Sequence, residues 1–115
     1  TTVTSCKKDK EDPTITVSTP AEHSMHNWGE EVHIMANFTD DRGLKSYNVL
    51  LGDEAGAHDH MFDFEKSGTI DGLEYAFHEH FVVPDSAMMM RWVHFTLTDM
   101  EDKTTTLSWM LHFEE

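Results

Sequence analysis

The sequence predicts an all-β chain built as a sandwich of antiparallel strands. Runs that alternate apolar and polar residues recur at a spacing of about 8–12 residues, and clusters of Gly, Asp and Ser punctuate them. No segment carries a helical period. About seven such strands in roughly 100 residues is enough for a two-layered sandwich.

Each strand has its own signal. The first, over 14–19 (TITVST), is rich in β-branched residues that suit a pleated surface. The second, over 31–39 (EVHIMANFT), puts Val32, Ile34, Ala36 and Phe38 on one face and His33, Met35, Asn37 and Thr39 on the other. A turn at Asp40-Asp41-Arg42-Gly43 leads into a third over 44–51 (LKSYNVLL). The fourth, 61–66 (MFDFEK), and the fifth, 73–83 (LEYAFHEHFVV), are divided by Ser67-Gly68 and Asp71-Gly72. The sixth, 91–98 (RWVHFTLT), turns Val93, Phe95 and Leu97 to the core and Trp92, His94 and Thr96 away from it. After a turn over 99–103, the seventh, 105–113 (TTLSWMLHF), buries Leu107, Trp109, Leu111 and Phe113 and leaves Ser108, Met110 and His112 outside. On these assignments His33, His94 and His112 are solvated surface residues, and Trp28, Trp92 and Trp109 are packing residues.

A chain of 115 residues fits one domain, expected over 13–115 after an unpacked leader over 1–12. Lys and Arg total 8 against 22 Asp and Glu, a net charge of −14 that repels nucleic acid and anionic membrane surfaces and favours cations. Nine His and eight Met against one Cys provide nitrogen and thioether donors with almost no thiolate. A cysteine-based zinc finger, an iron–sulfur cluster and a disulfide framework are thereby excluded. The loops are short and show no Ser-His-Asp or Cys-His arrangement, so the chain is not expected to be an enzyme. No run is long and apolar enough to span a membrane.

The single cysteine has a separate reading. Val3-Thr4-Ser5-Cys6 resembles the lipobox of bacterial lipoproteins, in which cleavage precedes a cysteine that is then lipidated. The charged run Lys7-Lys8-Asp9-Lys10-Glu11-Asp12 would then be a solvated tether, and Cys6 the sole membrane attachment of an extracytoplasmic, outer-membrane or cell-surface lipoprotein.

The stretches DPTITVSTP, GEEVHIMANFTDDRGLKSYNVLL, FHEHFVVP and WVHFTLTDMEDKTTTLSWMLHF together resemble the immunoglobulin-like lipoprotein domains of Bacteroidota, one family of which carries His-x-His motifs. The resemblance spans residues 12–114. It implies the sandwich, export and the placement of histidines, and it implies no reaction.

Two His-acid-His motifs carry the chemistry. In a sandwich whose strands alternate direction, the loops after the first, third and fifth strands emerge at one end. His23, Met25 and His26 belong to that end, as do His58, His60 and Met61, the strand carrying His78 and His80, and the run Met88-Met89-Met90. His78 and His80 share a face with α-carbons about 6.6 Å apart, close enough for two imidazoles to bind one ion at roughly 2.0–2.1 Å. The expected primary ligands of Zn(II) or copper are His58, His60, His78 and His80, with His23 and His26 in second rank and Asp53, Asp59 or Glu79 as supporting acceptors. The methionine run reads as a hydrophobic plug that also hints at copper, since thioethers select Cu(I). A metal-capturing, buffering or sensing domain is the leading expectation; the alternative is a structural or adhesion module with incidental histidines.

Overall fold

Alternation becomes strand almost everywhere the sequence shows it. The computed structural model describes residues 12–57 and 62–115. Six strands form among the described residues: β1 (Thr14–Thr19), β2 (Met25–Asn27), β3 (Glu31–Gly52), β4 (Glu65–Val82), β5 (Met90–Asp99) and β6 (Thr104–Glu114). No helix among the described residues is long and apolar enough to cross a membrane.

Two pairs of expected strands are fused. Those at 31–39 and 44–51 are one element, β3, and those at 61–66 and 73–83 are one element, β4, which begins only at Glu65. The cause is pairing. β3 and β4 run antiparallel from Glu31↔Val82 to Leu50↔Glu65, and their register shifts only between Thr39 and Ser46. Gly43 (φ 125°) and Gly72 (φ 142°) bring to that shift a backbone conformation that residues with a β-carbon rarely adopt. Asp40 Oδ2 accepts the N–H of Arg42 (2.8 Å) and of Gly43 (3.0 Å), which satisfies the backbone of the bend. Ser67-Gly68, expected as a turn, lies within β4 instead.

The bend turns one long hairpin into two layers. Before it, β3 pairs β1 and the second half of β4; after it, β3 pairs β5 and the first half of β4, and β6 and β2 continue that layer. The layers meet through Phe38 against Phe95, with ring centroids 6.3 Å apart, and Phe81 against Phe113, 6.1 Å apart. Val32, Ile34, Ala36 and Phe38 are buried as their alternation requires, as are Val93, Phe95, Leu97, Leu111 and Phe113. β2 falls where a loop is expected. Its three residues are too few for a period to show, and it pairs parallel with His112–Glu114.

Phe62 lies 5.7 Å from the Phe81 ring and 4.7 Å from Phe113, so the connection between β3 and β4 is anchored beside the C-terminal end of β4. The segment before β3 is tied to the same place, since Gly29 N–H donates to Val83 O and Val83 N–H donates to Glu30 O.

Candidate metal centre

Strand phase decides where the β4 histidines point. Phe77 and Phe81 are buried in the core, so His78 and His80, one residue out of phase, stand exposed on the outer face of the first layer. Antiparallel pairing brings in a third imidazole, because His33 of β3 is directly opposite His80, and Met35 is opposite His78. His33 Nδ1 lies 3.0 Å from His78 Nε2, a hydrogen bond whose donor depends on the tautomers. The His33 ring is 5.2 Å from that of His78 and 5.3 Å from that of His80.

Glu31, two residues before His33, shares its face. Its carboxylate oxygens lie 3.5 Å from His33 Nε2 and 3.3 Å from His80 Nε2. The side chains of His33, His80 and Glu31 are between 43% and 55% exposed, so an ion reaches them without any opening of the core. Glu79, expected as a supporting acceptor, belongs to the inward row and stands 4.0 Å from Lys66 Nζ. Asp53 is also engaged elsewhere. Its Oδ1 accepts the Ala57 N–H at 2.9 Å, and that bond foremost holds its carboxyl below the usual carboxylate range.

The remaining expected ligands divide. His58 and His60, with Asp59 and Met61, lie outside the described residues, as does Cys6. His26 is buried with both ring nitrogens taken, Nε2 at 2.8 Å from Ser24 Oγ and Nδ1 at 2.7 Å from Glu30 Oε2, which makes it a clamp on the turn before β3. Burial pushes the Glu30 carboxyl up, but the hydrogen bond from His26, the Asn27 N–H and attraction to His26 outweigh it and hold it below the usual range. His23 adopts φ 69°, and its N–H donates to Met110 O at 2.8 Å. His94, outward on β5, is bound to Ser108 Oγ (3.0 Å) and Asp53 O (2.7 Å).

With the side chains as they stand, no three His, Cys, Asp or Glu groups among the described residues converge closely enough to hold a metal. The shortfall around His33 is small. Its nitrogen is 3.0 Å from that of His78, whereas two nitrogens bound at 2.0–2.1 Å to a tetrahedral ion are about 3.3 Å apart. The His33–His78 nitrogen pair is thus near the spacing of two ligands, with the His80 ring 5.3 Å from that of His33. The juxtaposition of His33 with His78 and His80 escaped the sequence reading because it depends on register, which a strand's own alternation does not determine.

A family model described as a domain of unknown function, DUF4625, matches residues 3–106. Among solved structures the chain is similar to the fibronectin(III)-like modules of Clostridium thermocellum CbhA, at 15% identity and a TM-score of 0.55 over 90% of this chain and 47% of that one. It is also similar to Spo0M, a sporulation control protein from Bacillus subtilis, at 14% identity and a TM-score of 0.61 over 91% of this chain and 50% of that one. The chain thus spans about half the length of these structures. At such identities the likeness carries the fold, an immunoglobulin- or fibronectin-type sandwich, and nothing of function. No curated protein matches the chain.

Proposed function

The chain belongs to the DUF4625 family, and from that premise we propose that it is an extracytoplasmic lipoprotein domain, anchored through Cys6, that captures Zn(II) or copper on the histidine face of its first layer. The observation that supports this most is the row of His33, His78 and His80 with Glu31 beside it. His33 and His78 would hold the ion through the nitrogens that now share a proton, His80 would be the third nitrogen donor, and Glu31 would accept a ring N–H that fixes the tautomers. His58 and His60 supply further donors in this reading, as the motif spacing suggests.

Thermal melts test it. A metal that binds only the folded state adds RT ln(1 + [L]/Kd), about 2.7 kcal/mol at a hundredfold excess over Kd. Zn(II) or Cu(II) should therefore raise the Tm at pH 7.5 and much less at pH 5.5, because imidazole must be neutral to coordinate. The shift should vanish in the His78→Ala, His80→Ala variant, and Mg(II) should not reproduce it. An equal shift with Mg(II), or an undiminished one in the variant, would mean charge screening and leave a structural or adhesion module.

A further inference from the structure

The two layers carry different donor chemistry on their outer faces. The first displays imidazoles, and one end of the second displays thioethers. His112 of β6 is the cross-strand partner of Met25 on β2 and of Met90 on β5. Residues paired in this way share a face, with β-carbons about 4.5–5.5 Å apart across the antiparallel Met90–His112 pair and the parallel Met25–His112 strands about 4.8 Å apart. Burial agrees, since Leu111 and Phe113 point into the core while Met25 is 54% and Met90 43% exposed. Met88, 63% exposed, approaches the row from the chain before β5. It joins Met90 and His112 in lining an open groove of about 310 Å³, completed by Met89, Phe113 and Glu114.

The backbone beneath this group is held from both sides. His112 N–H donates to Ser24 O at 3.0 Å, and Phe113 N–H donates to Met89 O at 3.0 Å. The Met88-Met89-Met90 run therefore divides: Met89 packs against the core, and its two neighbours face water. Packing explains Met89 alone. Three solvent-facing thioethers around one imidazole bury little surface, whereas as ligands they form a soft, uncharged donor set. Soft thioethers select Cu(I) over Zn(II), Mg(II) and Ca(II). An unbranched side chain with three rotatable bonds can close its sulfur on an ion from this β-carbon spacing.

We propose that Met25, Met90 and His112, with Met88 at the rim, form a second metal site, selective for Cu(I), on the outer face of the β2–β6–β5 layer. The site shares no residue with the histidine face and stands or falls without it. Thioethers carry no proton to lose or gain near neutral pH, so three of its four donors remain available where imidazole ligands are protonated.

The test uses the protein labelled with ¹³C at the methionine methyl groups, under argon with ascorbate, titrated with Cu(I) and separately with Zn(II). Cu(I) should shift the methyl resonances of Met25, Met88 and Met90 and leave that of Met100, exposed elsewhere, unmoved; Zn(II) should shift none of the three. Competition against a chromophoric Cu(I) chelator should show at least a tenfold loss of affinity in Met25→Leu, Met90→Leu, a pair of changes that nearly conserves volume. That variant should keep the Zn(II)-induced rise in Tm. The His78→Ala, His80→Ala variant should do the reverse, retaining Cu(I) affinity and the methyl shifts. Undisturbed Met25 and Met90 resonances, or full Cu(I) affinity in the double-leucine variant, would overturn the proposal. So would a shift of Met35 in their place, which would put Cu(I) on the histidine face. A failure of Zn(II) binding alone would count against the histidine face and leave the thioether site standing.

Discussion

His26 and His33 differ in what their ring nitrogens already hold. Ser24 and Glu30 saturate the buried His26, so replacing either partner disturbs the turn before β3 and not a binding surface. The Glu30 carboxyl, held below the usual range chiefly by His26 against the push of burial, gives this contact a pH signature. A group depressed in the folded state contributes stability that is present above its unfolded pKa and is lost as pH falls through the folded value. Glu30→Gln should therefore cost about 0.5 kcal/mol at pH 7, a figure reduced because Glu30 is 39% exposed, and less at pH 3. Urea midpoints at the two pH values measure this, and an equal deficit at both would assign the cost to shape. His33 has one nitrogen toward His78 and the other toward Glu31, both at the surface, so its bonds can be exchanged for a metal. The sequence ranked His26 above His33 because it placed His26 in the loop at the histidine-rich end and His33 on the outward face of the expected second strand, and neither placement reveals which ring nitrogens are already held.

At the scale of elements, the bend shared by β3 and β4 concentrates the unusual residues. A β-carbon on Gly43 would need φ 125° and would meet Met100 Cγ at 3.2 Å, so Gly43→Ala should destabilise by about 1–3 kcal/mol, read from denaturant midpoints. Loss of less than a few tenths would mean that the bend relaxes freely. Asp40, only 7% exposed and with Oδ1 unpartnered, is the other device. Burial pushes its carboxyl up, the Arg42 N–H opposes this, and repulsion from Asp99 adds to it. A raised carboxyl contributes stability that is fully present below its unfolded pKa and lost as pH rises through the folded value. Asparagine keeps an oxygen for the Arg42 and Gly43 amides and carries no charge, so Asp40→Asn should gain on the wild type between pH 4 and pH 7. Falling behind as pH rises would show that the charge itself holds the turn. The strands were legible because a period of two is written into each, and β1 matches its expected bounds. Fusion of strands across the bend was not legible, because partners distant in the sequence decide it, as Leu44 and Gly72 show. Of the candidate site, His78 and His80 could be read from their own spacing, while His33, Glu31 and the Met25–His112–Met90 row appear only once register joins separate strands.

For the whole molecule the dominant fact is a net charge of −14 on 115 residues. Such an excess of acids works against compaction and draws in cations of every kind, so the field must be separated from the sites. Sodium chloride does this, since the screening length falls from about 30 Å at 0.01 M to about 10 Å at 0.1 M, while ligation at 2 Å is left intact. Raising salt from 0.01 to 0.3 M should stabilise the domain by about 1 kcal/mol, a Tm rise of roughly 4 °C. The rise should be the same in the His78→Ala, His80→Ala and Met25→Leu, Met90→Leu variants, which remove no acid. Screening also weakens the attraction that concentrates Zn(II) near the surface, so the apparent affinity should fall modestly with salt. The part of the Zn(II) shift that survives at 0.3 M is the part due to imidazole coordination, and only the histidine variant should lack it. Calorimetry across the salt series with and without Zn(II) decides the matter: if the metal shift shrinks to nothing at 0.3 M in the wild type, the cation was held by the acidic field and not by His33, His78 and His80.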